Sequence, residues 1–177
     1  MADTTTTTDT GAKRKRKLMV TYINAAAPGS AAVYERLGKD LEELNTEMNY
    51  ETNEKENILG EVTVDIYGAK PTAEVSPFYA REGSALADRL QTIKDDRLEL
   101  DDLATDVVEV HLWEPKEGST NAFTAVKESA HIELTSTGGD TTGYQTPFTI
   151  HYGGDPVKGT FDVSTRTFTA ATASTGA

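Results

Sequence analysis

A mainly β domain with one flanking amphipathic helix is what the sequence predicts, and three observations predict it. Apolar Val62, Val64 and Ile66 alternate with Glu61, Thr63, Asp65 and Tyr67, a period of two, and residues 107–114 and 123–135 also read as strands. One segment breaks that pattern: Leu86, Leu90 and Ile93 recur at i, i+4 and i+7, with Ala87 filling the stripe and Gly83–Ser84 supplying a start. The chain has 177 residues and no cysteine, which excludes disulfide staples, thiolate metal sites and cysteine nucleophiles, and is long enough to bury a core without them.

The elements follow in order. Leu18, Val20 and Tyr22 alternate with Met19, Thr21 and Ile23, a strand closed by the loop residues Pro28, Gly29 and Ser30. A short strand is expected over 33–37, ending at Gly38. Residues 41–60 are acidic and helical by composition. Yet Thr46, Met48, Tyr50 and Thr52 alternate with Asn45, Glu47, Asn49 and Glu51, so the segment is expected to be strand. Lys70–Pro71 precedes a strand over 72–78. The strands at 107–114 and 123–135 are joined by EPKEGSTN. Residues 146–169 read as a hairpin pair: PFTIHY, the turn GGDP, VKGTFDV, a short STR turn and TFT. The expected organisation is a flexible Thr-rich and basic arm over 1–17, one β domain over 18–169, and a flexible tail over 170–177.

Charge is distributed unevenly. The net charge is −12. Five basic side chains (Lys13, Arg14, Lys15, Arg16, Lys17) and two acids (Asp3, Asp9) give residues 1–17 a charge of +3. The other twelve basic and twenty-seven acidic residues leave −15 on the rest. Such a body repels a nucleic-acid backbone, while the basic run suits an acidic patch on a neighbouring copy or, failing that, phosphate. The apolar stretch 18–23 is far short of the ~20 residues a bilayer span requires, and the start has no apolar signal core, so a soluble protein is expected.

No catalytic constellation emerges. His111, His131 and His151 are isolated strand residues without an HxH or HxxxH pair, so no metal is expected. Glu42–Glu43, Asp95–Asp96 and Asp101–Asp102 are adjacent acids whose carboxyls diverge, whereas acid–base work needs convergence in a pocket. Gly138–Gly139–Asp140 and Gly153–Gly154–Asp155 lack the phosphate-loop and calcium-loop patterns and read as turns. No cofactor is expected, and the chain is read as a non-enzyme.

The strings YERLGKDLEELNTEMNYETNEKENILGEVTV, EVSPFYAREGSALADRLQTIKDDRL and VVEVHLWE resemble major tail tube proteins of siphophages, especially those of Gram-positive hosts. The resemblance spans roughly residues 18–135, and PFTIHYGGDPVKGTFDV is compatible with the end of that family's domain. It implies a β-sandwich or barrel-like subunit with one flanking helix. Six copies would form a ring whose strands join into an inner β-barrel, and rings would stack into a virion tail tube assembled in the host cytoplasm. DNA and the tape-measure protein would occupy the lumen, with tail terminator and distal tail or baseplate proteins as further partners. A monomeric binding module, such as a capsid decoration or carbohydrate-binding β domain, is the alternative from another class. The lone Trp113 within a strand gives that reading no aromatic cluster. A tube of a contractile tail or phage-like bacteriocin is nearer.

The pleat then sorts side chains. With Val62, Val64 and Ile66 assigned to the core, and with Met48, Tyr50, Val108, Val110, Leu112, Ile132 and Leu134 also inward, the acids opposite them turn outward. Glu47, Glu51, Glu61, Asp65, Glu109 and Glu133 are therefore the lumen-lining candidates. Lys13–Lys17 form the candidate inter-subunit arm, and Leu86, Leu90 and Ile93 the helix packing stripe.

Overall fold

The computed structural model describes Gly11 and residues 13–171; of the segments expected above to be flexible (1–17 and 170–177), residues 1–10, 12 and 172–177 lie outside the described residues. The strands are β1 (Met19–Asn24), β2 (Tyr34–Arg36), β3 (Thr46–Glu47), β4 (Glu51–Glu56), β5 (Val62–Tyr67) and β6 (Thr72–Val75), followed by helix α1 (Ala85–Asp96). After it come β7 (Ala104–Pro115), β8 (Ala122–Leu134), β9 (Gly138–Asp140), β10 (Gly143–Gln145), β11 (Phe148–Tyr152), β12 (Val157–Asp162) and β13 (Thr167–Ala170).

The main sheet is antiparallel and runs β2–β1–β7–β8–β11–β6–β3. Strand β8 is its spine. One edge pairs with β7, while the other is shared: β12 lies along residues 122–127 and β11 along 130–134. Because β11 and β12 both run antiparallel to β8, the GGDP segment between them does not reverse the chain, as the expected first hairpin required. It jogs outward and rejoins the same edge, with Gly153 N–H donating to Ser129 O at 3.0 Å. The second turn, over Ser164–Thr165–Arg166, does reverse the chain into β13 and is organised by Asp162 Oδ1, which accepts from the Ser164 and Thr165 amides.

Both faces of the central strands are buried, so consecutive residues of β1 and β7 serve different cores. Val20, Tyr22, Val108 and Val110 join Tyr34, Ala125 and Phe161 on one face. Ile23 and Val107 join Ala73, Val75, Ile132, Phe148, Ile150 and the helix residues Leu86, Leu90 and Ile93 on the other. The first face closes by rolling. Tyr22 and Phe161 stand on strands separated by β7 and β8, which in a flat sheet would put them about 14 Å apart at ~4.8 Å per strand. Their ring centroids are 4.6 Å apart, and Tyr34 meets Phe161 edge-on at 5.6 Å. Arg166 fastens the roll by donating to Tyr34 O at 3.2 Å, although no ladder joins β2 to β13 among the described residues.

The helix covers the other face. Its start is built on two side chains: the Ser84 hydroxyl accepts from Ala87 N–H at 3.1 Å and donates to Glu35 at 2.7 Å, and Glu35 also accepts from Leu86 N–H at 3.1 Å. Arg89 is buried, and its guanidinium donates to the carbonyls of Asn24, Ala26 and Ala104, binding the helix to the end of β1 and the start of β7.

Three sequence expectations fail in one region. Val62, Val64 and Ile66, assigned to the core, are 60%, 50% and 65% exposed. Met48 and Tyr50, expected inward, are exposed as well. The acidic stretch is two strands rather than one, because Asn49 adopts a left-handed backbone (φ 46°) between β3 and β4. Strands β4 and β5 form a separate two-stranded sheet that projects from the body.

Leu90→Ala is expected to cost about 2–5 kcal/mol in denaturant unfolding, since Leu90 is fully buried beneath the helix. A loss below about 0.5 kcal/mol, the size usual for surface changes, would contradict this packing.

Candidate functional site

The exposed ribbon is the first feature that its own fold leaves unpartnered. At its base, β3–β6 pairing stops at Glu47↔Thr72 and β4–β5 pairing begins at Glu51↔Tyr67. The step between them is stitched by Lys70 N–H to Met48 O at 3.0 Å and by the Asn49 side-chain amide, which reaches Lys70 O and Thr72 Oγ1. Lys70 also ion-pairs with Glu51. At the tip, Asn57 Oδ1 accepts from the amides of Leu59 and Glu61, leaving Ile58 and Leu59 almost wholly in solvent. The register places Glu56 opposite Val62, Glu54 opposite Val64 and Thr52 opposite Ile66. Residues directly opposite share a face, so one side of the ribbon carries an apolar row beside an acidic one. The other side is polar and holds the Lys55–Asp65 pair at 3.7 Å.

The second feature is an open sheet face. Away from the helix, β8, β11, β6 and β3 present His131 and Glu133, Thr149 and His151, Thr72 and Glu74, and Glu47, in that order across the strands. Glu47, Glu74 and Glu133 are exposed, and a shallow concavity of about 390 Å³ on this face adds Glu43 and Asn45. Glu133 hydrogen-bonds His151 Nε2. Such a face repels a polyanion while staying fully hydrated.

The six lumen candidates thus fall in three places. Glu47 and Glu133 share the open face; Glu51, Glu61 and Asp65 belong to the ribbon; Glu109 is on the opposite face of the main sheet and is not turned to bulk solvent. It lines a concavity of about 500 Å³ with Arg16, Leu44, Thr46, Val126, Glu128 and Tyr152. Desolvation pushes the Glu109 carboxyl above the ordinary carboxylate range, against the opposing pull of His111, Arg16 and the Thr46 hydroxyl. Glu128, diagonal to it across the β7–β8 pair, is also raised, by desolvation and then by the charges of Glu109 and Asp155. Burial lifts the Tyr152 phenol to about 12. Alternation could not distinguish this acid from the exposed ones, because β7 is covered on both faces. Glu74 and Glu128 were missed for the same reason: a pattern assigns a row to a face but not the face to a neighbour.

Of the basic run, Arg16 lines this concavity. Arg16 donates to Met19 O at 2.7 Å and to Leu44 O at 3.1 Å, and the Arg14 guanidinium is 4.9 Å from the Trp113 ring centroid. Trp113 itself stacks on His111, centroids 4.6 Å apart, so it is no free aromatic platform. Lys13, Lys15 and Lys17 are exposed and have no ion pair among the described residues. The paired acids at 42–43, 95–96 and 101–102 are all exposed. Among the described residues no His, Asp and Glu side chains are grouped to hold a metal ion, and no helix is long and apolar enough to cross a membrane. No protein-family model matches the chain, and no curated protein sequence matches it significantly.

Glu109→Gln is expected to stabilise the fold at neutral pH. A carboxyl raised on folding binds more protons folded than unfolded, so its contribution to stability falls as pH climbs from the ordinary carboxylate range through the raised value. The gain from Gln should therefore be present above that window and vanish below it, as read by denaturant unfolding at acid and neutral pH. Equal effects at both would contradict the assignment.

Proposed function

We propose that this chain is the repeating subunit of a self-assembling tube, the major tail tube protein of a long non-contractile phage tail. Rings of six stack into a conduit, and DNA leaves through its lumen. The observation that carries the reading is the β4–β5 ribbon, which holds Val62, Val64, Ile66, Ile58 and Leu59 in water on an arm separate from the main sheet. A monomer gains nothing from such an arm, and contiguous exposed apolar surface marks a contact site. The outer edge of β3 supports the same reading, because β3 ends the main sheet and no strand pairs with that side of it among the described residues. The open face of Glu47, Glu74 and Glu133 suits a wall past which a polyanion slides. The resemblance to siphophage tube proteins supplies the ring, the tape-measure protein in the lumen, and the terminator and distal tail proteins at the ends.

Magnitudes favour cooperative assembly. Fully burying a side chain of this kind contributes about 1.5–3 kcal/mol, so three that are already half covered yield on the order of 3–5 kcal/mol. Association costs about 4–15 kcal/mol. One ribbon contact is therefore marginal alone, whereas several made at once by a ring are not.

Light scattering and electron microscopy across concentration should show rings or tubes appearing above a threshold. Val62→Thr, Val64→Thr and Ile66→Thr together should leave the monomer's thermal unfolding within the small change expected of surface substitutions and abolish that assembly. A wild-type protein that stays monomeric at high concentration, even with tail-initiating proteins, would contradict the proposal.

A further inference from the structure

We infer that the ribbon of one copy docks on the basic segment 13–17 of a second copy, an inference that rests on the assembly reading above and names its contact. The two surfaces are complementary in charge and in chemistry. Residues 51–67 hold five acids and one lysine, a charge of −4, and residues 13–17 hold five cations and no acid. On the ribbon, Glu54 and Glu56 stand directly opposite Val64 and Val62 on one face. Lysine and arginine match that arrangement, since their aliphatic stems cover apolar surface while their charged heads reach acids beside it. Lys13, Lys15 and Lys17 are exposed without an ion pair among the described residues. Arg14 and Arg16, tied to Trp113 and to the carbonyls of Met19 and Leu44, fix the segment on its own body as a platform.

Because ribbon and platform are different surfaces, the contact is head-to-tail. Such an interface does not exhaust itself in a dimer but propagates into a ring or a filament. The basic run is thereby assigned to a protein partner, a second copy of this chain, rather than to nucleic acid.

The test is a charge swap in trans. One variant carries Lys13→Glu, Lys15→Glu and Lys17→Glu; the other carries Glu54→Lys and Glu56→Lys. Each alone presents like charges at the contact and should raise the concentration needed for assembly at least about tenfold, the equivalent of 1.4 kcal/mol. Mixed in equal amounts, positions 13, 15 and 17 of each platform meet a ribbon face of opposite sign at positions 54 and 56, so assembly should return with the two variants alternating. Assembly of either variant at the wild-type threshold would overturn the inference. So would a mixture that stays apart while a single chain carrying all five changes assembles, because the contact would then lie within one chain. Binding of a short DNA duplex by wild type, lost in the lysine variant while assembly persists, would reassign the run to nucleic acid. The chain lacks cysteine, so a second readout is clean: Val64→Cys in one copy and Lys15→Cys in another should be joined by a short bismaleimide in the mixture. Cross-linked dimers without tubes would support this contact and count against the tube; tubes without the cross-link would do the reverse.

Discussion

The pairing of β7 with β8, which carries an apolar core on each side, is the constraint on which the rest depends. Twelve residues of β7 and thirteen of β8 give the sheet a spine long enough to serve two cores. Val107 faces the helix, while Val108 and Val110 face the rolled half with Tyr22 and Phe161. Where both faces are covered, as along the middle of β7, a strand displays no solvent side; only the end of β8, from Ser129 to Glu133, alternates exposed with buried. What the protein exposes for recognition therefore comes mainly from the end of β8 with β11, β6 and β3, from the segment before β1, and from the ribbon that leaves the sheet between β3 and β6.

That division explains what the sequence reveals and what it hides. The helix was legible because Leu86, Leu90 and Ile93 follow a periodicity that only one-sided burial rewards. Strand content was legible from alternation. The destination of each row was not. Val62, Val64 and Ile66 alternate as cleanly as any core strand, yet here the described residues leave the apolar row half or more exposed. Glu109 stands in an alternating run and is nonetheless half-buried, because a second layer closes over its side of β7. Arg89 lies in a helix whose polar residues would be assigned to solvent, but three carbonyls at the ends of β1 and β7 hold it inside. Gly153 and Gly154 carry a turn composition, and the ladder with β8 turns it into a jog.

Body and ribbon also differ in what restrains them. Buried apolar clusters, a capped helix and the Arg89 latch hold the body. The ribbon is held at its base by Lys70, Asn49 and Glu51, and beyond that by its own ladder, the Lys55–Asp65 pair and the Asn57 turn. An isolated two-stranded hairpin is marginally stable in water. The segment with the most uncovered apolar surface is thus the one with the least local stability, and a partner that covers it supplies both burial and order. An acidic chain of net charge −12 would otherwise repel its copies, and a local patch of opposite sign permits contact at one orientation only.

In the proposed assembly the body folds alone and another copy completes the ribbon. Hydrogen exchange resolved to peptides, in dilute monomer and after concentration, tests it most directly. Slow exchange is expected across β7 and β8 under both conditions, with residues 51–67 exchanging fast in the monomer and becoming protected on concentration. A ribbon already as protected as β8 in the dilute monomer, or one that gains no protection while particles form, would contradict it.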